Sequence, residues 1–527
     1  MHDAELLLLV LMLAVGALSI LAVVAGVPYP ILLVIGGLLL GFVPGVPAAE
    51  LPPDLVLVLF LPPLLYQAAF FVSPRELRAD TRTISLLAVG LVLATMVAVA
   101  AAVHALVDGM PWSAAFALGA IVSPTDPLAA TTIARRLGVP RRLVTVLEGE
   151  SLVNDATALV AYRLAVAAVV TGSFTLWEAG VRFVAGGLGG IAIGLAVGWL
   201  ITEARRRLDD PVTEIILSVV TGYAAYLPAE LAGGSGVLAA VTAGLYVGWR
   251  APRIASATTR LLGFSFWEVL VYLLNAVLFV LVGLQLHPIL GRLGERSAAL
   301  VIGVAALVSV VVIAVRIAWG FTVPYLVRAV DRRAAQRVRR VGARPRLVMG
   351  WSGMRGAVSL AAALALPLET SGGRPFPERG LIVFVTFAVI LVTLVLQGLT
   401  LPALIRRLGV HADGDEESEE LRGRLRATDA ALARLDQLAE ADWTREDTVE
   451  RLRGLYQFRR RRLKARAGYV EDDGYQDRSL AYQRLVRELL DAQRLAIVQL
   501  RDQGDISVDV MHRIERDLDL EDSRLEI

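Results

Sequence analysis

Glu148, Glu150 and Asp155 lie within LVTVLEGESLVNDATALVAYRLAVAAVV, residues 143–170, an apolar run long enough to cross a bilayer. A charged side chain at mid-membrane costs about 2.5 kcal/mol or more on insertion scales, so an intramembrane carboxylate marks a candidate functional site. At 3.6 residues per turn, Glu148, Ser151 or Leu152, and Asp155 share one helix face, and Glu150 and Asn154 share the adjacent one. Both stripes bear oxygen and are expected to face inward, with Asp155 deepest.

Three further groups carry chemistry. In GAIVSPTDP, residues 119–127, two prolines flank Thr125 and Asp126 inside an apolar span. Each proline removes an internal hydrogen bond and clashes one turn back. Unpaired backbone is tolerated in hydrocarbon only where protein buries it or a wet cavity receives it. A helix broken beside an aspartate at mid-membrane is the architecture of ion sites in secondary transporters, with a plain proline kink as the alternative. In GWSGMRGAVSL, residues 350–360, three glycines bracket Arg355 inside another span. Asp126 and Arg355 have the signs needed to compensate the facing half-helix ends. Arg316 stands alone in VSVVVIAVRIAWG. A buried arginine needs a carboxylate, with Glu150 the first choice and Glu148 the second. The expected role is a structural ion pair.

Weaker signals get modest readings. Asn275 is a candidate for an interhelical hydrogen bond, Glu214 and Glu268 for headgroup exposure at span ends, and Arg163 for snorkelling. His104 is read as structural, with pH sensing as the alternative.

The elements that must hold these groups follow from composition. The chain has 527 residues, 56% of them hydrophobic. That is the composition of an all-α polytopic membrane protein. It has no cysteine, and its five histidines are scattered. Disulfides, thiolate metal sites and cysteine nucleophiles are thereby excluded, and a transition-metal site is not expected. MHDAE precedes about twenty apolar residues, which reads as a first transmembrane helix rather than a cleaved signal. Spans are expected near 4–26, 28–45, 53–72, 83–107, 112–134, 143–170, 179–202, 212–230, 234–249, 264–286, 298–327, 346–368 and 380–405. The count is thirteen, or twelve if the glycine-rich piece 231–249 does not cross. Spans 1–6 and 8–13 form a candidate pair of inverted six-helix repeats, with the two discontinuous helices equivalent and crossed. Arginine-rich loops alternate with loops holding few arginines. The positive-inside rule then puts the N-terminus outside and the C-terminus in the cytoplasm.

Residues 1–410 are therefore expected to form the membrane domain and 411–527 a helical cytoplasmic regulatory tail. The tail opens with an acidic linker, DGDEESEE, followed by three or four polar helices. Tyr482, Leu485, Val486, Leu489, Ala496, Ile497 and Leu500 keep helical spacing and predict one apolar stripe. Gly504 is expected to stop that helix and Ser507 to cap the next. The run Arg459–Arg462 is read as a solvated helix face, with attraction to anionic headgroups as the alternative. The tail carries no nucleotide-binding loop, EF-hand or kinase motif.

SPTDP at 123–127, EGESLVND at 148–155 and GMRGAVSLA at 353–361, in that order, resemble the sodium/proton exchanger family, the first monovalent cation:proton antiporter family. LPPLLYQAAF at 61–70 is similar to the family's third-span motif, and the tail to those of bacterial members. The resemblance implies a transporter rather than an enzyme, in the cell inner membrane among lipids. It implies a homodimer that works by alternating access, with no cofactor and no nucleic acid; a regulator of the tail is unidentified. It makes Asp155 the ion- and proton-binding carboxylate, supported by Asn154 and Asp126, with Thr125 and Ser151 offering oxygens. It pairs Glu150 with Arg316 and lets Arg355 balance the helix crossing. Where some members carry an acid in the third-span motif, this chain has Gln67, which ligates through oxygen but does not titrate.

A sodium or lithium ion is hard and takes oxygen ligands, here Asp155 carboxylate, Ser151 hydroxyl, a Thr125 carbonyl and water. Withdrawal from water strengthens a carboxylate's hold on its proton, so proton and cation compete for one group. The expected activity is exchange of cytoplasmic Na+, with Li+ and K+ as alternatives, for external H+. The pair Asn154–Asp155, in place of two acids, points to electroneutral turnover. A K+-selective antiporter and a sodium-coupled organic-acid symporter are the other readings.

Overall fold

The computed structural model describes residues 2–44, 53–172, 176–291, 297–330, 341–411, 415–470 and 474–525. The chain divides into two compact units, Met1–His411 and Ala412–Ile527. Both are helical, apart from one isolated bridge between Glu369 and Pro375.

The first unit begins with α1 (His2–Ala25), α2 (Tyr29–Leu40) and α3 (Pro53–Phe71). α4 (Pro74–Leu106) follows. Ser73 caps it, accepting from the Glu76 N–H, and a π turn interrupts it at Leu86–Leu91. Arg75, Arg78 and Arg82, expected in a loop, sit on its polar first turns. α5 (Trp112–Val122) and α6 (Leu128–Arg136) are the two halves of the fifth expected segment. α7 (Arg141–Thr171) has 31 residues, a length of about 46 Å at the usual rise per residue. α8 (Leu176–Arg205), α9 (Pro211–Leu231), α10 (Gly236–Ile254), α11 (Ala257–Leu284), α12 (Leu286–Gly291) and α13 (Ala298–Val330) follow. α14 (Ala343–Trp351) and α15 (Ala357–Leu364) are the halves of the twelfth expected segment. α16 (Arg379–Leu408) ends the unit and carries a second π turn, Thr393–Gln397.

Among the described residues, eight helices are long and apolar enough to cross a membrane, falling in α1, α4, α7, α8, α9, α11 with α12, α13 and α16. Three shorter apolar helices accompany them, Tyr29–Leu40, Val58–Phe71 and Trp112–Val122. α10 is a full helix over the piece whose crossing was in question, but its end carries Arg250 and Arg253 and it is not one of the eight. The main apolar core gathers Leu118, Ile121, Phe279, Ile382 and Phe387, drawn from α5, α11 and α16. Large apolar side chains point outward as well, among them Leu188, Trp199 and Leu200 on α8. An apolar exterior over a packed apolar core suits hydrocarbon surroundings.

Several polar residues sit differently from expectation. Glu214 is 2% exposed. It receives the Arg205 guanidinium at 3.1 Å and the Thr259 hydroxyl at 3.1 Å. Helix packing, not the headgroup layer, accounts for it. Arg163 pairs with Glu230, whose other oxygen accepts from the Gly236 N–H at 2.8 Å and so caps α10. The Asn275 amide donates to Val271 O, 2.9 Å away on its own helix, rather than across helices. His104 Nδ1 lies 2.7 Å from Met110 O and its ring stacks on Trp112.

The second unit contains α17 (Asp415–Leu438), α18 (Glu446–Arg466), α19 (Tyr475–Gln503) and α20 (Val508–Leu525). Residues 413 and 414 of the acidic linker lie outside the described residues, and helix begins at Asp415. Leu421, Leu425 and Leu463 join α17 to α18, and Leu490, Ile497, Met511 and Leu518 join α19 to α20. Val486 and Ile497 of the expected α19 stripe pack here, but the buried arc is rotated from the rest of it. Tyr482, Leu485 and Leu489 are exposed, while Leu490 is buried. Helical spacing alone does not choose between overlapping stripes; the partner helix does. Gly504 ends α19 with positive φ, and Ser507 accepts from the Val510 N–H. Arg460 of the basic run pairs with Asp429 at 2.7 Å.

Candidate functional site

The two interruptions meet. Residues 123–127 separate α5 from α6, and residues 352–356 separate α14 from α15. The Asp126 N–H donates to Met354 O at 2.8 Å, binding one gap to the other. Glycine permits the approach. A Cβ on Gly356 would run into the Asp126 carboxylate, and one on Gly353 would run into the Arg316 side chain.

Both ends of the α5–α6 interruption have a compensating group. The Asp126 carboxylate accepts from the Leu128 N–H at 2.9 Å and caps the start of α6, where the helix dipole is positive. Arg355 is 1% exposed. Its Nε donates to Val122 O, the last residue of α5, at 3.1 Å, and a terminal nitrogen bonds Gly353 O. Its backbone N–H donates to Thr393 Oγ1 at 3.2 Å, in the π turn of α16. Asp126 and Arg355 therefore serve opposite ends of the crossing through backbone. Among the described residues they form no ion pair with each other.

α7 passes beside this crossing and divides its polar residues between two faces. On one face, Arg316 grips Glu150 with both terminal nitrogens, the NH2–Oε2 bond being 2.8 Å, and both side chains are almost wholly buried. The Arg316 Nε donates to Met349 O at 3.2 Å. Glu150 also accepts from the Thr125 hydroxyl at 3.0 Å. The Asn154 amide donates to that hydroxyl at 3.0 Å and to the Thr125 carbonyl at 3.2 Å. The Thr125 hydroxyl thus has its proton and an acceptor site committed, while its carbonyl keeps a second lone pair. Asn154 Oδ1 is buried and has no partner among the described residues.

The other face opens on a cavity of about 410 Å³. Glu148, Ser151, Leu152 and Asp155 line it from α7, Asp126 and Thr125 from the first interruption, and Gln67 from α3. Asp155 is 9% exposed, and among the described residues no hydrogen bond or ion pair reaches its carboxylate. Glu148 is occupied by Arg135 at 2.6 Å. This places a buried but uncommitted acid in a space large enough for a cation and water, next to a capped helix start and within an oxygen-rich wall.

All eight residues singled out in the sequence lie at this site. Asp155, Asp126, Thr125 and Ser151 line the cavity; Glu150, Asn154, Arg316 and Arg355 form the frame behind it. Sequence reasoning missed Arg135, Asn275 and Ser359 as lining residues. Only the polarity of Asn275 within its apolar run hinted at it. Arg135 is one of many arginines in the loops and Ser359 one of many small residues, so nothing local marks either.

Comparison with known proteins agrees with this architecture. The family model described as "Sodium/hydrogen exchanger, transmembrane" matches residues 8–407. A protein of Mycobacterium tuberculosis named as an uncharacterized Na(+)/H(+) exchanger is 40% identical, covering 98% of this chain and 96% of that one. The Na(+)/H(+) antiporter ApNhaP of Aphanothece halophytica is 34% identical over 82% of this chain and 81% of its own. The sodium, potassium, lithium and rubidium/H(+) antiporter of Bacillus subtilis is 34% identical over 76% of this chain and 61% of its own. The solved sodium proton antiporter MjNhaP1 from Methanocaldococcus jannaschii shares the fold, with a TM-score of 0.59 at 21% identity over 77% of this chain and 99% of that one. With a family match across the whole membrane-like unit and a relative along nearly its full length, this chain belongs to the sodium/hydrogen exchanger family.

Proposed function

We propose that the protein is a secondary antiporter that exchanges cytoplasmic Na+ for external H+ on the Asp155 carboxylate by alternating access. One observation carries the reading: Asp155 is a buried acid with no protein partner, set in a cavity beside the two helix interruptions. Na+ is held there by Asp155, the Ser151 hydroxyl, the free lone pair of the Thr125 carbonyl and water. A proton occupies the same carboxylate in the other half of the cycle. Asn154 and Asp126 position the site, the Glu150–Arg316 pair fixes Thr125, and Arg355 holds the α5 end of the crossing.

Exchange follows from competition. The empty carboxylate is a bare charge in a poorly hydrated place, so the carrier moves when the acid is neutralised by H+ or by Na+. Each loaded form then has the same net charge. Turnover does not respond to membrane potential, which acts at about 2.3 kcal/mol per charge per 100 mV. In this reading thirteen segments cross the inner membrane, spans 1–6 and 8–13 form inverted repeats, and residues 411–527 are a cytoplasmic regulatory tail. Two copies form the working dimer. What supports the crossings is the run of apolar helices along the first unit.

The test is fluorescent pH measurement in inside-out vesicles, with Na+, K+ and Li+ added in turn. The reading requires Na+ to move protons in the wild type and none of the ions to do so with Asp155→Asn. The Bacillus subtilis relative is named for sodium, potassium, lithium and rubidium, which supports K+ and Li+ as additional substrates.

A further inference from the structure

A second cavity, of about 170 Å³, lies where the starts of α4, α7 and α14 meet the end of α13. Its walls are apolar, with Leu86, Leu87, Trp319, Val323, Pro324 and Val327 among them. Arg82, Arg142, Arg316, Arg328 and Arg346 also line it, against a single carboxylate, Asp80. Asp80 is committed to Arg142 in a two-pronged bond, the shorter arm 2.6 Å, and Arg316 is committed to Glu150. Arg346 is 8% exposed. Among the described residues its guanidinium meets no carboxylate; it lies 5.2 Å from the Tyr325 ring, as does Arg328. A buried guanidinium beside an aromatic face is only partly compensated.

We propose that this cavity binds an anionic phospholipid, with the phosphate between Arg328 and Arg346 and the beginning of an acyl chain against Val323, Val327 and Leu87. An anion answers Arg328 and Arg346, which share the Tyr325 ring. A lipid answers the rest, because the walls are hydrocarbon-like and α4, α7 and α13, which supply most of them, belong to the apolar set suited to a bilayer. The site stands on the chain being in a membrane and not on which ion it carries. It also reaches the transport machinery, since Arg316 forms part of both the cavity wall and the Glu150 pair.

The test uses the full chain purified in neutral detergent, reading the midpoint of thermal unfolding after adding phosphatidylglycerol, phosphatidylcholine with the same acyl chains, or inorganic phosphate. Phosphatidylglycerol is expected to raise the midpoint by several degrees and the other two to leave it near its starting value. Arg328→Gln with Arg346→Gln should lose at least half of that shift. Val327→Trp, which fills the cavity and keeps every arginine, should do the same, and it carries the test alone if the double variant does not fold. No shift, an equal shift with phosphatidylcholine, or an equal shift with phosphate alone overturns the proposal. So does retention of more than half of the shift by a folded variant of either kind.

Discussion

The two faces of α7 hold similar residues in opposite states. Toward Arg316, Glu150 is saturated by two guanidinium bonds and a threonine hydroxyl. Toward the cavity, Asp155 is nearly as buried yet holds nothing among the described residues. On one face the carboxylate is tied to protein groups and works as a frame. On the other face the acid's binding capacity is unspent among the described residues. Burial alone does not distinguish a structural carboxylate from a working one; the count of committed lone pairs does.

The contrast is easiest to break at the open face. Asp155→Asn should abolish cation-driven proton movement while leaving the thermal unfolding midpoint near that of the wild type, since no protein bond is lost. Measurable exchange in that variant would remove Asp155 from the mechanism. On the framed face the expected effect is on stability. Arg316→Ala strands a buried carboxylate, which costs roughly 3–5 kcal/mol, so unfolding should begin at a clearly lower temperature; an unchanged midpoint would refute the frame. Arg205→Ala sharpens this point. It breaks the comparable buried pair with Glu214, which is not among the residues lining the ion cavity. It should destabilise by a similar amount while the surviving folded protein keeps its dependence of exchange rate on Na+ concentration.

Smaller effects probe the cavity wall. Gln67→Glu adds a further titratable carboxylate facing the same space, and should make the fall of exchange rate with falling pH steeper. In the wild type that fall has a simple sign: more protons compete with Na+ for one acid, so the Na+ concentration for half-maximal rate rises as pH drops. An identical pH profile in the variant would mean position 67 does not sense the site. Arg135→Gln frees Glu148. Half-exposed pairs are worth about 0.2–1 kcal/mol, so the half-maximal Na+ concentration should fall by no more than a few-fold in vesicle assays, with little change in maximal rate.

Much of this arrangement was legible in the residues. Charges inside apolar runs are conspicuous because hydrocarbon penalises them, and this singled out Glu150, Asp155, Arg316 and Arg355. Clustered proline and glycine weaken a helix beside a charge, so SPTDP and GWSGMRG located both interruptions. What failed depended on how one helix packs against another. Glu214 looked like a headgroup residue until Arg205 and Thr259 closed around it. The α19 stripe shifted because α20 packs on a different arc of the helix.

The sequence by itself determined a helical chain built for a bilayer, two broken helices and a short set of intramembrane charges. Each follows from local rules: apolar length, backbone hydrogen bonding and the cost of charge in oil. Tertiary structure alone decided that Glu150 would be locked and Asp155 left open, five positions apart on one helix. A partner 166 residues away in the chain reaches only one of the two faces, and no local pattern encodes which.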